Sequence, residues 1–555
     1  MNVYIVFFVI LFVSTANVQS YVISRQTSVS DGCARIYNEF ITAQKTNFSY
    51  ADAKDCYESF PFDKDVASKT IDTLTGLIGG FYSFLDKAKE PPQPGFDFRS
   101  MDLIAELELF RNKSYTTLHD FTIDVQHLIN DLKEPHTNFD DTIDRSNNDC
   151  EVTHIDGQQA FNVISDYAKN SVVASRDPSV RFNSALNFAF DFGYAIRTEL
   201  PAKSDITYTL KCNNTNEFNV KRNWTAFASS TILNKFNDSK SYFDNICNPT
   251  KGSKQPASSS LGLRKIAKTF NVVNGILAER DQSVAIIRTV NEFVEFFKVQ
   301  DFGVVKIISE DPDGLSYAMV ANVTQGFKDL ANTGVKKIVL DLSNNNGGKV
   351  TVALFFNLLL FPNSYPTFDY DIRISEQMKL AITEQIKLAT LNNIFDMSGQ
   401  SECDYSTYSK FNYSTSLEPE DYIILTNGLC GSACAIIAEH AVEYNNVTTV
   451  AVGGIASNPL LSYASFPGGA VFNSTQIFNS LEKLGLLNNT LMPNPFPLTG
   501  TYVRLPITEM YSKINPDEIL EFSFRQAKFR LFYDEKNVKN NSILWSQAAA
   551  LIGSK

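Results

Sequence analysis

The sequence predicts an α/β fold in its second half, a mixed sheet with covering helices, preceded by a helical N-terminal region and a β-rich segment. Three observations carry this. Short apolar runs such as "KKIVLDLS" and "YIILT" have strand length and read as strands buried on both faces. Each leads into a glycine turn, "NNNGG" or "NGLCGS", and then into an apolar helical stretch, "KVTVALFFNLLLF" or "SACAIIAEHAVEY". This strand–helix alternation starts near residue 300, which places helices over a sheet.

The remaining elements follow in chain order. Residues 21–90 have apolar positions at helical spacing and end in a Pro-Pro stop. "TTLHDFTIDVQHLINDLKEP" is a further helix that ends at Pro135. "CEVTHIDGQQAFNVISDYAKN" reads as a strand, a turn at Gly157 and a helix, and residues 200–260 as strands joined by long polar loops. "DFGVVKIIS" is a strand, "LSYAMVANVTQGFKDLANTG" an amphipathic helix, and "TTVAVGG" a short strand. The excursion at 365–418 is expected to pack over the sheet. Near the end, "RLPITEMYSKINPDEILEFSFRQAKFRLFY" offers two short strands around a proline turn.

The net charge of −12 comes without any basic cluster that could track a phosphate backbone, so nucleic acid is excluded as an expected partner. Residues 1–20 form a short apolar run ending in "VQS", as in a cleaved leader, with the mature chain starting near Tyr21. The run is too short for a bilayer that needs roughly 20 residues, and no later stretch supplies a membrane anchor. A secreted, extracellular protein is the expectation. Eleven N-x-S/T sequons agree with it, at Asn47, Asn112, Asn213, Asn223, Asn237, Asn322, Asn412, Asn446, Asn473, Asn488 and Asn540. So does the even cysteine count: Cys33, Cys56, Cys150, Cys212, Cys247, Cys403, Cys430 and Cys434. Cys33 with Cys56 is the most plausible local bridge; the other pairings stay open. With no C-x-x-C pair and no His beside Cys, no metal site is expected.

Ser432 stands at a strand-to-helix corner between two cysteines. Such a corner holds the hydroxyl clear of the sheet, and the helix start offers unpaired N–H groups that can hold an oxyanion. The competing role is a plain N-cap. Cys430 or Cys434 as nucleophile is the weaker alternative, because cysteines of a secreted chain are expected to be bridged. A serine needs a base, and the chain has five histidines. On one helix His440 would lie about 12 Å along the axis from Ser432. His119 and His127 fall within helical periodicity, and His154 lies in a strand. His136, in "LKEPHTNF" after a helix end, is the one placed in a loop.

Several boxes, in order, resemble the C-terminal-processing (tail-specific) serine peptidases, closest to the chlamydial protease-like activity factor subgroup and its secreted fungal relatives. "LKEPHT" is similar to the family's histidine box, with His136 at the histidine. "CEVTHIDGQQAF" is similar to its PDZ-like strand and turn, "IVLDLSNNNGGKV" to its glycine turn, and "ILTNGLCGSACAIIAE" to its nucleophile box. The lysine of the bacterial Ser/Lys dyad has no counterpart, since the first lysine after Ser432 is Lys483. Two positions depart from the family pattern: Glu134 stands for an aspartate and Ser343 for an arginine.

The resemblance implies a ClpP/crotonase-like catalytic core and a secreted serine endopeptidase acting on protein or peptide substrates without any cofactor. It implies Ser432 as nucleophile, His136 as base and Glu509 as the carboxylate that orients it, with Glu518 and Glu521 as fallbacks. It also implies an oxyanion hole from Gly347 or Gly348 with Ala433. The implied domains are a leader at 1–20, a helical region with the histidine box at 21–149, a divergent PDZ-like or inserted segment at 150–295, and the catalytic domain at 296–555. A homodimer is compatible with the resemblance. The alternative from another class is a non-catalytic, peptidase-like binding protein; an esterase using the same site is a third.

Overall fold

The computed structural model describes residues 3–6, 31–133, 150–187, 194, 196–197, 200–212, 216–248, 284–291, 293–311, 317–364, 368–387, 417–467, 471–498 and 500–553. His136, Glu134, Cys403, Asn213, Asn412 and most of the expected leader lie outside these residues.

The N-terminal region is helical as the periodicity predicts. Helix α1 (Gly32–Ala43) is capped by Asp31, α2 (Tyr50–Glu58) by Ser49, and α3 (Lys64–Phe81) by Asp63. Helices α4 (Leu103–Phe110) and α5 (Leu118–Asn130) follow, the latter started by a Thr117/Asp120 capping box. Cys33–Cys56 ties α1 to α2, the bridge their proximity in sequence suggested.

The β-rich segment forms its own sheet. Strands β3 (Glu151–Ile155), β4 (Gln158–Gln159), β6 (Asp205–Lys211) and β7 (Phe218–Phe227) are antiparallel neighbours, and β2 (Asn47–Ser49) pairs β7. On the far side of β7, β1 (Val3–Val6) runs parallel to it and to β5 (Ile196–Arg197). Removal of a leader before Tyr21 would take β1 away. Cys150–Cys212 crosses this sheet at the start of β3. Between β4 and β5 lie α6 (Ala160–Asn170) and α7 (Pro178–Leu186). Asn183 of α7 donates to the carbonyls of Asn427 and Val452, so this helix packs on the catalytic half.

The second sheet has the order β18-β14-β13-β11-β10-β9-β8. Its strands are β8 (Val284–Val290), β9 (Val294–Val299), β10 (Phe302–Ile307), β11 (Ile338–Asp341), β13 (Tyr422–Thr426), β14 (Thr448–Val452) and β18 (Phe529–Leu531). Strands β10, β11, β13, β14 and β18 are mutually parallel; β8 and β9 add antiparallel edge strands, so the sheet begins ahead of position 296. Period-two alternation splits the strand side chains between two cores. Leu340, Ile424 and Ala451 face the larger core, with helices Tyr317–Asn332, Val350–Leu360 and Ala433–Glu439. Val339, Ile423, Leu425 and Val450 face the smaller one, under Trp545 and Ala548 of the C-terminal helix Asn541–Ala549. Burial on both faces is why these strands are continuously apolar.

The larger core continues without a break into α1–α5. In the excursion, Glu376–Lys387 packs on α3 rather than over the sheet: Ser375 Oγ donates to the Gly80 carbonyl, and Gln377 lies against Gly80.

Candidate active site

The site is assembled where β11 and β13 end, on the side of the sheet where parallel α/β proteins place their ligands. After β13 the chain turns at Asn427-Gly428, runs through Leu429–Gly431 and enters the helix Ala433–Glu439. Ser432 sits at the join with φ 51° and ψ −120°, a conformation L-residues avoid. Its hydroxyl caps no helix N–H and makes no hydrogen bond among the described residues. The N-cap role is therefore not what the side chain performs. The corner is held from several directions. Ser432 N–H donates to the Phe466 carbonyl at 3.3 Å, Gly431 N–H donates to the Asn345 carbonyl at 3.0 Å, and Cys430 is bridged to Cys434 across the serine. A four-residue bridge there fixes the turn, and it removes both thiols as nucleophiles.

The glycine turn lies directly against this corner. A Cβ on Gly347 would fall 2.5 Å from the Gly431 carbonyl oxygen, 2.7 Å from Ala433 N and 2.8 Å from Ser432 Cβ. With φ 93° as well, only glycine fits. Gly347 N–H is occupied, donating to Asn345 Oδ1 at 2.9 Å. The N–H groups of Gly348 and Ala433 have no partner among the described residues, which leaves them as the available donors. Asn344 and Asn427 bond reciprocally, the Asn427 amide to Asn344 Oδ1 at 2.6 Å and Asn344 N–H to Asn427 Oδ1 at 3.1 Å, joining the two turns. The three asparagines were legible only as turn formers.

The four described histidines stand apart from this chemistry. His119 stacks on Tyr57, His127 is exposed on α5, and His154 contacts Thr153 in the other sheet. His440 is buried between Phe361 and Tyr444 with Ser364 Oγ 3.2 Å from Nε2, and desolvation lowers its pKa to about 4. His136 lies outside the described residues, and Lys133 is the last described residue before it. A narrow cleft is lined by Lys133, Arg176, Ser465, Phe466, Glu521 and Arg525. Phe466 is the residue whose carbonyl holds Ser432 N–H, and Lys133 precedes His136 by three positions, within roughly 10 Å of extended chain. Burial lowers the Lys133 ammonium to about 8.

The three carboxylates predicted for the third role separate. Glu509 lies in strand β17 (Glu509–Met510), opposite Asp371 of β12 (Tyr370–Asp371), where it accepts from Tyr511 OH at 2.9 Å. Desolvation raises its pKa, and Asp371 and Asp86 add to the rise. It is not among the described residues that line the cleft. Glu518 caps its own turn, accepting from Asn515. Glu521 is buried in the cleft wall, where the Arg176 guanidinium pairs with it and also donates to its carbonyl. Arg525, also in the lining, joins buried Glu439 to Glu443. These long-range ion pairs carry no periodic signature in sequence.

Among the described residues no group of His, Cys, Asp and Glu could hold a metal ion, and no helix is long and apolar enough to cross a membrane. Cys247 is buried and has no bridge to any described cysteine.

Residues 301–454, the segment holding both turns, match the model of Peptidase family S41. The Peptidase S41 family protein ustP of Aspergillus flavus is 21% identical over 430 residues, 61% of this chain and 88% of that protein. Mature CPAF complexed with lactacystin superposes with a TM-score of 0.52 at 12% identity, covering 88% of this chain and 98% of the other. A second structure of mature CPAF gives 0.50 at 12%, covering 88% and 99%. At such identity these two superpositions establish the fold, while the family match rests on sequence. Residues 301–454 are thus similar to peptidase family S41, the serine-type, tail-specific peptidases that the sequence boxes resemble.

Proposed function

We propose that this chain is a secreted serine endopeptidase that cleaves protein or peptide substrates by acylation of Ser432. His136 takes the hydroxyl proton and returns it to the leaving amine, and a buried carboxylate holds the imidazole in the productive tautomer. The observation that carries the reading is the unused Ser432 hydroxyl at a positive-φ corner, beside the unpartnered N–H groups of Ala433 and Gly348. Those two form the oxyanion hole, with Gly347 contributing close approach rather than a donor.

For the orienting carboxylate, the cleft favours Glu521 over Glu509, because Glu521 shares that cleft with Lys133 and Phe466. Secretion is supported by three bridges, at Cys33–Cys56, Cys150–Cys212 and Cys430–Cys434. Glycosylation is supported by exposure of Asn47, Asn112, Asn223, Asn237, Asn322, Asn446 and Asn488. Asn473 and Asn540 instead cap helices through their side-chain oxygens.

The test is hydrolysis of a fluorogenic protein substrate by the secreted protein and its variants. Ser432→Ala and His136→Ala should each lose at least about 10³-fold in kcat, to a common floor. Glu521→Gln should lose more than Glu509→Gln; the reverse order would return the orienting role to Glu509. Equal turnover by wild type and Ser432→Ala would move the nucleophile off Ser432, and no turnover by the wild type would defeat the peptidase reading and favour a binding protein.

A further inference from the structure

Beneath the glycine turn lies a carboxyl group that the mechanism above does not use. Glu310 follows strand β10 and is 0% exposed. Its backbone is built into the turn: Glu310 N–H donates to the Gly347 carbonyl at 3.1 Å, and Lys349 N–H donates to the Glu310 carbonyl at 2.8 Å. A Cβ on Gly348 would fall 2.2 Å from the Glu310 carbonyl carbon. Glu310 Oε1 accepts from Asn345 Nδ2 at 2.8 Å, while Oε2 has no polar partner among the described residues.

Asn345 is the hub of this arrangement. Its second amide hydrogen goes to the Ile307 carbonyl at 3.0 Å, its side-chain oxygen takes Gly347 N–H, and its backbone carbonyl takes Gly431 N–H. One fully buried residue therefore fixes the glycine turn and the end of β10 through its amide, and the residue before Ser432 through its backbone carbonyl. Glu310 fixes the amide.

Among the described residues no cation faces this carboxyl. The charged groups on the segments packed against it are Lys306 and Asp311 on its own side and Lys349 on the turn, and none acts on its carboxyl; burial alone pushes the pKa up, to about 8. A buried charge without a counter-ion is strongly disfavoured, so the acid is neutral at neutral pH.

We propose that Glu310 is a positioning residue: its neutral carboxyl holds Asn345, and through it the glycine turn and the Ser432 corner, and its ionisation switches acylation off. The consequence for the reaction rests on the reading of Ser432 as nucleophile. Ionisation places a negative charge under the donors that must hold a second one, the tetrahedral oxyanion, and desolvation of that charge forces the turn to move.

The experiment is the rate of fluorophosphonate labelling between pH 6 and 10 for wild type, Glu310→Gln and Glu310→Met, with urea unfolding midpoints over pH 5–9. Wild-type labelling should fall about tenfold per pH unit at the alkaline end. Glu310→Gln keeps the acceptor for Asn345 and cannot ionise, so it should still label at pH 7 and lose that alkaline fall. Glu310→Met fills the space without an acceptor, so it should fold yet label at least about tenfold more slowly at every pH. An unchanged alkaline fall in Glu310→Gln, or wild-type labelling by Glu310→Met, overturns the proposal. If labelling is absent from the wild type or survives Ser432→Ala, the nucleophile reading has failed, and the midpoints still decide on Glu310. The wild-type midpoint must drop relative to that of Glu310→Gln as pH rises from 5 to 8; parallel midpoints overturn it.

Discussion

Replacement of Gly347 by alanine brings the two halves of the site into direct conflict. The new methyl would lie 2.5 Å from the Gly431 carbonyl oxygen and 2.7 Å from Ala433 N, and both are backbone atoms that cannot swing aside. Overpacking of this kind costs about 1–3 kcal/mol. The residue also sits at φ 93°, where a Cβ adds about 1–2 kcal/mol. Some of this is relieved by moving the corner, and that movement displaces the Ala433 donor. Loss of one oxyanion donor is worth about 3–4 kcal/mol, or 10²–10³-fold in rate. The expected result is a second-order fluorophosphonate labelling constant reduced by at least about 10²-fold, with a urea midpoint lowered but a cooperative transition retained. Gly334 is the control. It has φ 78° with nothing within 4 Å of its Cβ position, so Gly334→Ala should lose about 1–2 kcal/mol of stability and label normally. Equal labelling constants for the two variants would refute the placement of the glycine turn against the nucleophile.

Three further outcomes follow from the same geometry. Cys430→Ala/Cys434→Ala opens a four-residue loop whose closure is worth about 2 kcal/mol in chain entropy, so the midpoint should fall modestly while labelling falls by more than tenfold as Ser432 leaves its positive φ. For Glu310 the folded pKa is raised from 4.5 to about 8, so the folded chain keeps a proton that the unfolded chain releases. Its contribution is full below about pH 4.5 and is lost as pH rises to 8, with an upper bound of about 5 kcal/mol; urea titrations of wild type against Glu310→Gln measure it. His440→Gln should lower the unfolding free energy by about 1–3 kcal/mol, through its contact with Ser364, and leave the labelling constant within about twofold.

Legibility in the sequence divided along physical lines. Strands β11 and β13 were evident because burial on both faces demands unbroken apolar runs. The corner at Ser432 was evident because a turn, small residues and a helix start must occur in that order. Strands β8 and β9 were not: β8 is an edge strand, with Ile286 67% exposed, and its sequence has no clean alternation. The pairing of Cys430 with Cys434, the Arg176–Glu521 ion pair and the Glu310–Asn345 contact are properties of the folded chain. The ion pair and the Glu310–Asn345 contact join residues far apart in the chain, and the two cysteines, though four residues apart, had other possible partners. Glu509 comes from resemblance to a motif, whereas the place of Glu521 in the cleft wall is legible only in the folded chain.

The central claim is that Ser432 is an activated nucleophile. It is tested most directly by labelling the secreted wild-type protein with a fluorophosphonate, digesting it, and locating the adduct by mass spectrometry. The account predicts one adduct, on the Ser432 hydroxyl, absent after His136→Ala in protein that still folds. An adduct on another residue, or none on Ser432 in protein that hydrolyses substrate, would contradict it.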